Sequence, residues 1–141
     1  MSKIIQILLI CLLLSSKILA NWDYSHSFKL KKDEIATISV IKKDYKTRSK
    51  LDGEVAFRWT LYHNDLLVLL VSYEGFKTQH ILKKEYKRDS VAINLMGDYV
   101  RVDQRVFLVI KFSGFDNNIA TLDANIRDPK KRVEVIFKDP Y

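Results

Sequence analysis

Val55-Ala56-Phe57-Arg58-Trp59-Thr60-Leu61-Tyr62-His63-Asn64-Asp65-Leu66-Leu67-Val68-Leu69-Leu70-Val71 is the stretch that decides the fold. Its first half alternates. Val55, Phe57, Trp59 and Leu61 fall on one side, and Ala56, Arg58, Thr60 and Tyr62 on the other, the period of a strand with one buried face. Asn64-Asp65 then joins two apolar segments, and both residue types tolerate the positive φ that a two-residue hairpin requires. The run Leu66 to Val71 has a composition that suits a helix as well as a strand. Its short length, the turn before it and Glu74-Gly75 after it decide for a strand. Its unbroken apolarity predicts a central strand covered on both faces.

Outward from this hairpin the same signal repeats. Ala36, Ile38 and Val40 alternate with Thr37, Ser39 and Ile41, and Phe76, Thr78, His80 and Leu82 with Lys77, Gln79 and Ile81. Further runs start at Val91, Val106, Ala120 and Val133, each stopped by Gly, Asp or Pro, and a weaker one spans Ser25 to Leu30. No long segment shows a helical period. About eight short strands separated by turn signals predict one all-β domain, an antiparallel β-sandwich, with a small β-barrel as the alternative. Trp59 is placed like the core tryptophan of an immunoglobulin-type third strand. Without flanking cysteines this likeness concerns architecture alone and implies no immune-type role. Phe57, Trp59, Leu61, Leu69, Leu108 and Ile110 are the expected core.

Residues 1–20 read differently. Met1-Ser2-Lys3 is a short basic start, Ile4 to Leu14 is apolar apart from Gln6, and the segment closes on the small Ala20. That is the layout of a secretory signal peptide cut after Ala20, and the apolar run is short for a membrane span. An uncleaved anchor continuing across Lys17 is the alternative. Cys11 does not make a lipoprotein signal, because bulky Ile10 precedes it. The expected mature domain is 21–141, with no transmembrane span.

Processing changes the composition that matters. The 141-residue chain carries 24 Lys plus Arg against 17 Asp plus Glu; losing Lys3 and Lys17 lowers the net charge from +7 to +5. It also removes the one cysteine, and a cysteine-free exported domain suits the oxidising bacterial periplasm. About half the chain is apolar, which argues against disorder, and the four glycines are too scattered for a phosphate-binding loop.

Catalytic chemistry finds little to work with. There is no Gly-x-Ser-x-Gly elbow, and the mature chain offers no thiol nucleophile. His26, His63 and His80 are far apart in sequence, so His63 and His80 are only weak metal candidates. No enzyme activity and no cofactor are expected. The basic cluster Lys83, Lys84, Tyr86, Lys87 and Arg88 is the best candidate for an anion or partner site, although lysine-rich turns also serve solubility. Nucleic acid is not an expected partner of an exported protein. The expected function is non-catalytic: a periplasmic accessory or protein-interaction module of the cell envelope. Binding of an anionic envelope lipid or glycan through the basic loops is the alternative.

Overall fold

The computed structural model describes residues 21–43, 50–85, 87–96 and 101–140. The expected signal peptide and Tyr86 lie outside them. In chain order the described residues form β1 (Tyr24–Lys31), β2 (Ala36–Lys43), β3 (Lys50–His63), β4 (Leu66–Tyr73), β5 (Phe76–Lys83), β6 (Ser90–Asn94), a 3-10 turn (Val102–Gln104), β7 (Phe107–Asp116), β8 (Ile119–Arg127) and β9 (Val133–Lys138). They pair, all antiparallel, into a four-stranded sheet β1-β8-β7-β6 and a five-stranded sheet β5-β4-β3-β2-β9. The two sheets pack face to face as a sandwich, not a closed barrel. No helix among the described residues is long and apolar enough to cross a membrane.

The turns follow from their residues. Asn64-Asp65, Glu74-Gly75 and Asn117-Asn118 all hold positive φ at both positions, joining β3 to β4, β4 to β5 and β7 to β8. This geometry matches the right-handed twist of the strands that leave a two-residue turn.

Inward-facing residues of both sheets interdigitate to make the core. Phe28, Leu30, Ile38, Phe57, Leu69, Leu108, Ile110 and Leu122 are essentially inaccessible. Polar atoms at the seam are satisfied. The Trp59 indole N–H donates to the Leu30 carbonyl (2.8 Å), the Tyr73 hydroxyl to the Leu95 carbonyl (2.9 Å), and the Tyr24 hydroxyl to the Val133 carbonyl (3.0 Å). Each joins one sheet to the other or to its flanking loop. Buried Asp128 accepts the backbone N–H of Arg132 and Val133 and so shapes the turn from β8 into β9.

Two expectations are corrected here. Leu61 is not core: it is 54% exposed. Trp59 opposes Leu69 but Leu61 opposes Val68, so Thr60 is an extra residue and the alternation changes phase. A bulge of this kind turns every later side chain to the opposite face. Tyr62 is thereby turned inward. A matching irregularity between Phe112 and Gly114 turns Phe115 inward, and the Tyr62 and Phe115 rings stack with centroids 3.7 Å apart. The second correction concerns β4. It lies one strand from the sheet edge, and only the face bearing Leu67, Leu69 and Val71 is buried. Its other face is open.

Candidate functional site

The two outer faces of the sandwich differ in chemistry. Across β1 and β8 the outer face is polar: Ser25 donates to Asn125 (2.8 Å), and Ser27 and Ser113 both donate to Asp123. These groups satisfy one another. The outer face of the five-stranded sheet is apolar where β3, β4 and β5 run side by side. Register places Leu61, Val68 and Ile81 in one row, Arg58, Leu70 and Gln79 in the next, and Ala56, Ser72 and Lys77 in a third. Ile81 is 62% exposed, and Leu66 and Ile35 on the same face are also accessible.

A groove of about 540 Å³ runs over the second and third of these rows, beside the row Leu61–Val68–Ile81, and is lined by Ile35, Ala56, Arg58, Leu70, Lys77 and Gln79. The floor is aliphatic, and the cations stand at its sides. Among the described residues neither Arg58 nor Lys77 has an ion-pair or side-chain hydrogen-bond partner. Contiguous apolar surface rimmed by polar groups is the usual signature of a contact site. Shape and chemistry therefore suit an apolar partner surface that brings negative charge.

The histidines are not brought together. His63 opposes Leu66 on the outer face, whereas His80 opposes buried Leu69 on the inner face. The His80 ring lies 2.9 Å from the Thr78 hydroxyl, and burial pushes its pKa below the ordinary value. Among the described residues no group of three or more His, Cys, Asp or Glu is placed to hold a metal ion.

The basic cluster is a tight turn that carries its own acid. Lys83 pairs with Glu85 at 2.7 Å, and this hydrogen bond holds the Glu85 carboxyl below its usual range. The turn closes when the Lys83 N–H donates to the Arg88 carbonyl (2.8 Å) and the Arg88 N–H to the Glu85 carbonyl (3.0 Å). Lys84, Lys87 and Arg88 are exposed. The groove, which sequence reading missed, lies on the strand that leads into this turn. Its signal was present: an apolar run too uniform for a strand with one solvated face. Compared with known protein families, characterised proteins and solved structures, the chain matches none.

Proposed function

We propose that this chain is an exported, non-catalytic module of the bacterial envelope that docks another envelope protein on the outer face of its five-stranded sheet. The observation that carries the reading is the row Leu61–Val68–Ile81 beside Arg58 and Lys77. It combines accessible aliphatic surface with cations that have no partner among the described residues. Export rests on the signal-peptide pattern of residues 1–20, and periplasmic location follows from it together with the cysteine-free remainder. Within this reading the architecture is immunoglobulin-like, on the strength of mid-strand Trp59 packed between the sheets.

The test is site-specific photocrosslinking in cells that make the protein natively. A photoreactive residue at Ser72, in the groove, is expected to trap one reproducible envelope protein. The same probe at Thr121, on the polar outer face, is expected to trap none. Equal capture from both positions, or none from Ser72, defeats the reading.

A further inference from the structure

The outer face ends at β5, and β5 is a sheet edge. We infer that the partner completes this sheet by adding a strand along Lys77, Gln79 and Ile81, with an acidic residue opposite Lys77 and an apolar one opposite Ile81. The inference rests on the docking face proposed above and specifies how that face is occupied.

Hairpin geometry decides which backbone groups are on offer. Tyr73 and Phe76 close a two-residue turn, so they form a hydrogen-bonded pair, and such pairs then alternate along an antiparallel ladder. Phe76, Thr78, His80 and Leu82 therefore bond to β4, while the N–H and C=O of Lys77, Gln79, Ile81 and Lys83 point away from it. The far end of the strand agrees. The Lys83 N–H donates outward to the Arg88 carbonyl, and the Lys83 carbonyl accepts from the Glu85 N–H (2.6 Å). The outward groups of Lys77, Gln79 and Ile81 have no backbone partner among the described residues.

These residues also carry their side chains on the apolar face. A strand paired to them extends each row by one position: the row Leu61–Val68–Ile81 asks for another aliphatic group, and the row ending at Lys77 asks for a carboxylate. The two positions are four residues apart on the incoming strand, the period-two spacing that places both on one face. Phe76 is 78% exposed, so the opposite face of the incoming strand meets an aromatic ring at the same edge.

Charge selects against a second copy of this chain. Two β5 edges paired about Gln79 set each Lys77 opposite an Ile81, leaving the lysines without a complement and breaking the aliphatic rows. Lysine on an edge strand is a recognised guard against self-pairing, and the same charge selects an acidic strand.

The Ser72 photoprobe in the full chain gives the test, with three substitutions added one at a time. Gln79→Pro removes an outward N–H and leaves the bonds to β4 in place. Lys77→Glu reverses the charge, and Lys77→Arg keeps it. Adduct yield is expected to fall roughly tenfold for Gln79→Pro and Lys77→Glu and to hold for Lys77→Arg, a tenfold loss corresponding to about 1.4 kcal/mol. If Gln79→Pro lowers the melting temperature, Lys77→Glu alone decides. Full yield through Lys77→Glu, or an adduct made of two copies of this chain, overturns strand addition while the docking face stands. No adduct from the unsubstituted chain defeats the docking face and this inference together.

Discussion

The indole N–H of Trp59 on β3 meets the carbonyl of Leu30 on β1 at 2.8 Å, a bond between the two sheets made where both residues are buried. Trp59→Phe keeps most of the apolar contact and removes one of the bonds to the Leu30 carbonyl, which also faces Ala120 in the β1–β8 ladder. The net loss of one such hydrogen bond costs about 0.5–1.5 kcal/mol. Urea unfolding is expected to show that loss, with crosslinking from Ser72 unchanged. A midpoint equal to that of the parent chain would remove the bond from the account of stability.

The bulge at Thr60 makes a prediction opposite to simple alternation. Leu61→Ser is expected to stay within about 0.5 kcal/mol of the parent, as exposed positions do. Tyr62→Ala, which empties the stack on Phe115, is expected to cost about 2 kcal/mol. Thermal melts of the two variants check the order, and a larger loss for Leu61→Ser would reverse the phase assigned to this strand.

Lys42 on β2 and Glu74 in the β4–β5 turn pair at 2.5 Å, and the Lys42 ammonium lies 5.4 Å from the centre of the Tyr73 ring. The hydrogen bond from Lys42 holds the Glu74 carboxyl below its usual range, against a smaller opposing effect of burial. A depressed folded pKa means the ionised form is favoured by folding. The contribution is therefore full above the unfolded value of about 4.3 and disappears as pH falls through the folded value. Because the carboxylate is half exposed, Glu74→Gln is expected to cost less than about 1 kcal/mol at neutral pH. The difference from the parent chain should vanish in strong acid, as chemical denaturation across that range will show.

Docking on the sheet face separates from binding through the basic turn. Lys84→Glu combined with Lys87→Glu is expected to leave the Ser72 adduct unchanged, whereas Leu70→Asp is expected to abolish it. If the lysine reversals remove the adduct, or release the protein from the envelope as raised salt does, the anionic-ligand reading takes precedence.

Export predicts a covalent change that mass spectrometry reads directly. Protein recovered from the periplasmic fraction is expected to begin at Asn21 and to contain no cysteine. Recovery of the chain with Lys3 and Lys17 still attached would favour the anchor.

Much of the architecture was legible because alternation and turn chemistry are local signals. Asn64-Asp65 announced its hairpin, and Phe57, Leu69, Leu108 and Ile110 lie in the core as expected. The phase of β3 beyond Trp59 was not legible, since an inserted residue changes no composition: Thr60 looks like any outward threonine. Which face of Leu66–Val71 is covered depends on strand order, a long-range property. The groove escaped notice for the same reason, because Arg58, Leu70 and Lys77 are neighbours only across strands. The turn at Lys83–Arg88 drew attention as a run of charge, yet Glu85 neutralises part of it from within.

Thr60 has a consequence for how this surface can change. Deleting that one residue would join Trp59 directly to Leu61 and leave unbroken alternation, with Leu61 still outside opposite Val68 and Tyr62 still inside opposite Leu67. The aliphatic row and the aromatic stack would both keep their places. Thr60 is thus a one-residue reserve: β3 can shorten there without exchanging its faces.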